Sequence, residues 1–313
     1  MLLPVALPSP VMPVSDPDLA RAGVELRLKR DDLIHPVVPG NKWRKLTPNL
    51  RAATGAGHTR LLTFGGAYSH HIHAVAAAAA AAGLASVGVI RGEELARAPR
   101  NWSLAEAEGN GMRLAFVDRA TYRETLRTLA TPATRRDLER RFGRCYVLPE
   151  GGSNALAARG SARTAAELAD LGAHDVVCCP VGTGGTLAGI AAALPPGARA
   201  LGVAVLKGAA GYLEEEVGRL HREGWDRTFD NWHIAHTHHG GGYAKLPAAL
   251  TAFATAFEAR HGIPIERRYV AKMLHCVHDL ATGGALPRGT RVTAVITGPP
   301  PQARPRPPAA APR

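Results

Sequence analysis

Cysteine, lysine and aromatic residues are all scarce in this chain of 313 residues. Its four cysteines, Cys145, Cys178, Cys179 and Cys276, show no C-x-x-C spacing. That argues against a disulfide framework or a zinc knuckle and places the chain in a reducing cytosol. No apolar run approaches the roughly 20 residues of a membrane-spanning helix. The opening Met1-Leu2-Leu3-Pro4 lacks the basic start and unbroken apolar stretch of a signal peptide. These absences lead us to expect a cytoplasmic protein with no membrane partner. Aromatics make up only 5%, and no basic stripe is interleaved with them, so nucleic acid is not the expected partner. Only six lysines are present, Lys29, Lys42, Lys45, Lys207, Lys245 and Lys272, among 38 basic residues. The net charge of +12 therefore rests on scattered arginines. It reads as compositional bias towards Arg and Ala, and leaves anionic small molecules as the fitting partners.

Apolar residues make up 46% and charged ones 20%, the balance of a folded chain with a core rather than of a disordered one. The length suits one large or two modest domains. To about Ala20 the chain is Pro-rich and reads as irregular. Val24–Lys29 alternates as a strand does. A loop with proline and glycine breakers spans Asp31 to Asn41, and a helix over Trp43 to Ala53 follows, kinked or delayed by Pro48. Leu61–Phe64 reads as a short buried strand, and His70–Ala82 as an Ala-rich helix closed by Gly83. Further strand candidates are 86–90, 114–117, 145–148, 175–179, 200–205 and 292–296. Short apolar strands alternating with helices give an α/β fold with largely parallel sheets covered on both faces. From Pro299 onward Pro, Ala and Arg repeat, which reads as a disordered tail.

Loops at strand ends and helix starts are where open α/β sheets bind ligands, and four of them stand out. In Gly40-Asn41-Lys42-Trp43-Arg44-Lys45, two of the few lysines sit three apart at a helix N-terminus. Cations there oppose the helix dipole unless an anion is held nearby. In Gly65-Gly66-Ala67-Tyr68-Ser69-His70-His71-Ile72-His73, a strand ends in two glycines and a hydroxyl opens a helix. This suits a carboxylate on exposed N–H groups, though Ser69 could equally be a simple helix cap. The three histidines have no acidic companion in the segment, so no metal is expected. Glu150-Gly151-Gly152-Ser153-Asn154 is a further glycine turn. The sharpest is Pro180-Val181-Gly182-Thr183-Gly184-Gly185-Thr186-Leu187-Ala188-Gly189. It matches neither the Walker A pattern nor the dinucleotide G-x-G-x-x-G pattern, yet its glycines let backbone wrap a phosphate. A reactive lysine, a carboxylate loop and a phosphate loop together point to pyridoxal phosphate.

The segments K-R-D-D-L-I-H-P, G-N-K-W-R-K-L, T-F-G-G-A-Y-S-H-H-I-H, P-E-G-G-S-N and V-G-T-G-G-T-L-A-G-I occur in that order. Over about residues 24 to 298 the chain resembles the 1-aminocyclopropane-1-carboxylate deaminase/D-cysteine desulfhydrase family, among the tryptophan-synthase-β-like, fold type II pyridoxal phosphate enzymes. The resemblance implies two three-layer α/β domains with largely parallel twisted sheets and the cofactor between them. On that reading residues 1–44 with 151–298 form the large domain, 45–150 the small one and 299–313 the tail. It implies a deaminating β-elimination on a small amino acid, D-cysteine before the cyclopropane amino acid, and suggests a homodimer. A family member that binds the cofactor with weakened turnover is the rival reading.

By position, Lys42 looks like the Schiff-base lysine, Asn41 its neighbour at the cofactor, and Lys45 the phosphate-contacting lysine. Ser69 resembles the serine that engages substrate and moves protons. Gly182, Thr183, Gly184, Gly185 and Thr186 look like the phosphate loop, Tyr243 and Tyr269 like two active-site tyrosines, and Thr297 like the threonine bonded to the pyridine nitrogen. His70 stands where the family usually has the asparagine that bonds the phenolic oxygen. Val270 stands where true cyclopropane deaminases carry glutamate, and Pro299-Pro300 interrupt the family's C-terminal pattern.

Overall fold

A computed structural model describes residues 5–38 and 40–298. The tail expected from Pro299 lies outside the described residues. In chain order the elements are β1 (Val11–Val14), α1 (Pro17–Ala22), β2 (Glu25–Lys29), α2 (Asn41–Gly55), β3 (Arg60–Gly65), α3 (His70–Ala81) and β4 (Ala85–Arg91). Next come α4 (Trp102–Gly109), β5 (Met112–Val117), α5 (Arg119–Arg127), α6 (Pro132–Phe142), β6 (Tyr146–Val147) and α7 (Ala155–Ala166). The chain continues with β7 (Asp175–Val181), α8 (Gly185–Ala193), β8 (Arg199–Ala204), α9 (Tyr212–Trp225) and β9 (Trp232–Ala235). It closes with α10 (Ala248–His261), α11 (Val270–Thr282) and β10 (Arg291–Val295). Among the described residues no helix is long and apolar enough to cross a membrane.

The strands form two sheets, a six-stranded one of order β1-β2-β10-β7-β8-β9 and a four-stranded one of order β5-β4-β3-β6. Every pairing is parallel except that of edge strand β1 with β2. Strand alternation sends successive side chains to opposite faces, and both faces of each sheet are covered. In β7, Cys178 joins the core with Leu250, Leu274 and Val277 of α10 and α11. The adjacent Cys179 joins Leu187, Leu213 and Val217 of α8 and α9 on the other side. In the smaller sheet, Leu61 packs with Ile72 and Val75 of α3, whereas Leu62 packs with Tyr122 and Leu138 of α5 and α6. This is the expected α/β class, with a helical layer on each face.

Three local readings are corrected. From Val11 the chain before Ala20 is regular rather than irregular: β1 pairs with β2 from Val11↔Lys29 to Val14↔Leu26. At this edge Pro13 has no central ladder bond to break. In α1, Asp16 caps the first turn through Asp18 N and Leu19 N, Pro17 sits inside the start, and Gly23 closes the helix at φ 71°. Pro48 neither kinks nor delays α2 enough to end it, because the helix runs from Asn41 to Gly55 through it. Proline at 48 frees the Arg44 carbonyl from the helix ladder. That carbonyl lies so close to Gly160 of α7 that a Cβ on Gly160 would stand 2.1 Å from it. β9 was not anticipated at all, and the strand expected over 145–148 contracts to Tyr146–Val147.

Candidate active site

The first turn of α2 shows how one short motif serves two surfaces. Lys42 and Lys45, three apart, share a helix face, and both line a cavity of about 320 Å³. Arg44, between them, points the other way and is fully buried. Its Nε and Nη2 donate to the two Asp31 oxygens at 2.8 Å, and its Nη1 donates to Glu167 Oε1 at 2.8 Å. Lys29 Nζ adds a 2.7 Å bond to Glu167 Oε2. This network fastens α2 to β2, to the Asp31 turn and to the end of α7, so the lysine face is held on a rigid support.

Gly40 sets where that face begins. It has φ 57°, and a Cβ there would fall 1.7 Å from the Thr297 carbonyl oxygen, so only glycine lets the two segments meet. Asn41 N donates to Thr297 O at 3.2 Å, and Asn41 Nδ2 donates to Thr186 Oγ1 at 2.8 Å. The starts of α2 and α8 are thereby joined beside the segment that follows β10. The cavity wall also includes Gly65-end residues Gly66 and Ser69 after β3, Arg91 at the end of β4, and the Gly182–Thr186 turn after β7. Carboxyl ends of parallel strands thus converge on one cleft, as ligand sites in open α/β sheets do.

Every residue given a site role from the sequence lines this cavity: Asn41, Lys42, Lys45, Ser69, His70, Gly182, Thr183, Gly184, Gly185, Thr186, Tyr243, Tyr269 and Thr297. Ser69 has both of its anticipated positions at once. It caps α3, accepting from His71 N at 3.3 Å and Ile72 N at 3.4 Å, and it faces the cavity. Tyr243 reaches across the cleft, its hydroxyl donating to Tyr68 O at 2.9 Å. Lys272 Nζ holds the Tyr243 loop from α11 by donating to Gly242 O at 2.8 Å and Tyr243 O at 3.1 Å. Tyr269, whose ring stands edge-on to Tyr243 at 5.5 Å, is kept a neutral phenol by burial. His70 sits among the rings of Tyr269, Trp102 and His73, with Nε2 3.8 Å from Glu266 Oε1. Val270 is fully buried in the core beneath the large sheet and offers no carboxylate.

Several cavity residues were given no site role from the sequence. His71 is buried, with Nε2 2.8 Å from Thr63 Oγ1. Burial first, then the charges of Lys42 and Lys45, hold it well below the usual imidazole range, hence neutral. Glu266, Arg91, Glu150 and Tyr212 arrive from four separate segments. The position of Arg91 at a strand's carboxyl end was the available signal for it. Nothing in the sequence around Tyr212 marks it.

The electrostatics define what this cavity accepts. Burial lowers the Lys42 ammonium to about 8. Burial, and then the charge of Lys42, also hold Lys45 well below the usual ammonium range. Among the described residues neither lysine forms an ion pair, and Lys45 Nζ has only a 3.4 Å contact with Gly151 O. Beside it the Gly182–Thr186 turn brings Gly184 into the left-handed region at φ 75°, directly before α8. A Cβ on Gly185 would stand 3.0 Å from Ser153 Oγ and 3.1 Å from Lys45 Nζ. This is a space bounded by a hydroxyl, an ammonium and a helix N-terminus, kept open by glycine, and it suits a phosphate. The residues present therefore fit pyridoxal phosphate: a dianionic group at the α8 turn, with the softened amine of Lys42 in the same cavity.

Comparison with known proteins agrees with this chemistry. Residues 3–298 match the family model described as "Pyridoxal-phosphate dependent enzyme". A putative 1-aminocyclopropane-1-carboxylate deaminase from Pyrococcus horikoshii is 28% identical over 302 residues, covering 90% of this chain and 87% of that protein. A D-cysteine desulfhydrase from Klebsiella pneumoniae subsp. pneumoniae is 35% identical over 207 residues, covering 62% of this chain and 61% of that protein. Against a Thermotoga maritima relative the match spans 54% of the relative's length. In structure, a protein described as an ACC deaminase homologue superposes with a TM-score of 0.78 at 24% identity, covering 95% of this chain and 91% of that one. That superposition speaks for the fold.

Proposed function

This chain belongs to the pyridoxal-phosphate dependent enzyme family, and on that premise we propose that it catalyses a deaminating β-elimination of a small amino acid, with D-cysteine preferred. The observation that carries the choice is the pair Thr297 and Val270. Thr297 lines the cavity, whereas Val270 is buried in the core, where the resemblance to cyclopropane deaminases would require a glutamate. The relatives named for each activity support the class.

The cofactor, when bound, supplies an electron sink for charge developing at the substrate Cα. Lys45 and the Gly182–Thr186 turn would hold its phosphate. The Lys42 amine, lowered to about 8, is about one-tenth neutral at pH 7, far more than an ordinary lysine, and takes the Cα proton, with the Ser69 hydroxyl beside it. The Cβ–S bond then breaks with its electron pair passing to sulfur, hydrosulfide leaves, and water converts the remaining enamine into a keto acid and ammonia. Tyr243, bonded across the cleft to Tyr68 O, limits water entry. The same proposal assigns the two sheets to two domains, 1–44 with 151–298 and 45–150, with α2 passing between them. Free Cys145, Cys178, Cys179 and Cys276 support a reducing, cytosolic setting.

Incubating the holoenzyme separately with D-cysteine, L-cysteine and 1-aminocyclopropane-1-carboxylate, with sulfide and keto acid both assayed, tests the reading. We expect sulfide and keto acid in equal amounts from D-cysteine. Keto acid from the cyclopropane substrate alone would instead make the chain a cyclopropane deaminase. Stable cofactor binding with no turnover of any of the three would favour the weakened member.

A further inference from the structure

Away from the cleft, three side chains of metal-binding type meet where the Tyr243 loop crosses α11. His238 lies in the loop after β9, and His275 and Asp279 are four apart on α11, hence on one face. His238 Nε2 is 3.0 Å from Asp279 Oδ2, and His275 Nε2 is 3.6 Å from the same oxygen. One ligand atom from each residue falls within 4.8 Å of the others. In a tetrahedral site with metal–ligand distances of about 2.0–2.1 Å, ligand atoms stand about 3.3–3.4 Å apart. The two separations bracket that edge.

His238 and His275 thus turn their Nε2 atoms to one Asp279 oxygen, the first within hydrogen-bond distance and the second within ion-pair range but beyond a hydrogen bond. His238 also has the outer partner that metal-bound imidazoles ordinarily carry. Its Nδ1 is 2.9 Å from Thr237 Oγ1, a hydroxyl to which Nδ1–H would donate once Nε2 is taken by a metal. The side chains keep 16%, 29% and 45% of their surface exposed, enough for an ion to enter and for water to complete its shell. The neighbouring group Asp16, Asp18 and His278 is less suited, since Asp16 already caps α1 and pairs with Arg260.

We propose that His238, His275 and Asp279 bind one divalent transition-metal ion of the zinc class, and that this ion clamps the Tyr243 loop to α11. Two imidazoles and one carboxylate suit zinc, cobalt or nickel, whereas calcium and magnesium ask for oxygen ligands. The clamp would act on the same loop that Lys272 already holds through Gly242 O and Tyr243 O, and Tyr243 is the residue that this loop delivers into the cleft.

The test uses holoenzyme freed of metal by chelation and titrated with cobalt(II), followed by its visible absorption and by displacement with zinc. We expect one equivalent per chain. His275→Gln and Asp279→Asn should each weaken binding at least tenfold, and Thr237→Val by about 10–100-fold as an outer-shell loss. No stoichiometric binding, or binding undiminished in a His275→Gln/Asp279→Asn double variant, overturns the site. Zinc should also shield His238 and His275 of the unaltered enzyme from diethylpyrocarbonate, a readout that needs no variant to fold. Hydrogen exchange over residues 236–243 should slow with zinc, and unchanged exchange on a loaded protein overturns the clamp.

Discussion

Asn41 Nδ2 donates to Thr186 Oγ1 across 2.8 Å of buried space, joining the helix that carries Lys42 to the helix whose start forms the glycine turn. These residues are 145 positions apart in the chain, yet one hydrogen bond sets the spacing between an amine and an anion cradle. Breaking it should separate the two parts of the site without removing either. Asn41→Ala is therefore expected to weaken cofactor binding by about tenfold, the loss of roughly 1.4 kcal/mol that one buried hydrogen bond can represent. Fluorescence titration of the apoenzyme reads this, and an unchanged affinity would remove the bond from the site's geometry.

The lysine assignment has a chemical readout. Borohydride reduction of the holoenzyme, followed by peptide mapping, should place the pyridoxyl label on Lys42. Lys45→Ala should keep the label on Lys42 while weakening cofactor retention if, as proposed, Lys45 serves the phosphate end. A label on Lys45 or Lys207 contradicts both roles.

The cradle can be filled without disturbing the backbone. Gly185 is helical, and a Cβ there would meet Ser153 Oγ at 3.0 Å and Lys45 Nζ at 3.1 Å, whereas Gly184 at φ 75° would be strained by any side chain. Gly185→Ala is expected to lower cofactor affinity at least tenfold, about 1.4 kcal/mol, while the apoenzyme's melting temperature stays within a few degrees. Equal affinity would mean that the phosphate sits elsewhere.

Much of this arrangement is legible in the sequence because its parts are short and local. The Gly182–Thr186 turn, the lysine pair of α2 and the capping Ser69 each lie within a few residues of one strand end or helix start. What stays hidden comes from elsewhere in the chain. Glu266, just before α11, meets His70 at the start of α3 only through the tertiary fold, and Arg44 reads as one more basic residue until Asp31 and Glu167 are brought to it. Pro13 and Pro17 disguise an edge strand and a helix start as irregular chain, since both are tolerated there for reasons of position. Pro48 misleads in the same way, the freed Arg44 carbonyl being answered by close packing against Gly160.

Acid should unfasten the support under the lysine face. Burial alone would raise Glu167, but the hydrogen bonds and charges of Arg44 and Lys29 override it and take the carboxyl down to about 2 from its ordinary 4.5. A depressed carboxyl contributes stability above its unfolded value and loses it as pH falls through its folded value. The window is thus from about pH 4.5 down to about pH 2, and the contribution is roughly 3 kcal/mol. Urea midpoints of the enzyme should fall across that window, and Glu167→Gln should start lower and follow a flatter profile. Arg44→Met should cost about 3–5 kcal/mol by leaving buried carboxylates unpaired. Identical pH profiles for Glu167→Gln and the unaltered chain would contradict the account.

His70 places a titratable ring where the family's resemblance leads one to expect an amide. Its Nε2 stands 3.8 Å from Glu266 Oε1, and Glu266 is itself raised by burial, against the pull of the Arg268 and Tyr269 backbone N–H groups. The ring also packs edge-on against Tyr269 at 5.6 Å and Trp102 at 5.4 Å, so its position is set by aromatic neighbours as well as by charge. If the imidazole serves the phenolic oxygen of the bound cofactor, its protonated form favours the ionised oxygen. Replacing it with a neutral amide should then raise the midpoint of the cofactor's absorbance titration. Glu266→Gln removes the carboxylate that stands 3.8 Å from the imidazole and so, acting through His70, should also raise the midpoint. Spectral titrations of the unaltered holoenzyme, His70→Asn, Glu266→Gln and the double variant separate the two effects. A double variant that matches His70→Asn alone means Glu266 acts only through His70. Superimposable curves for all four would assign His70 to aromatic packing and remove it from the cofactor's surroundings.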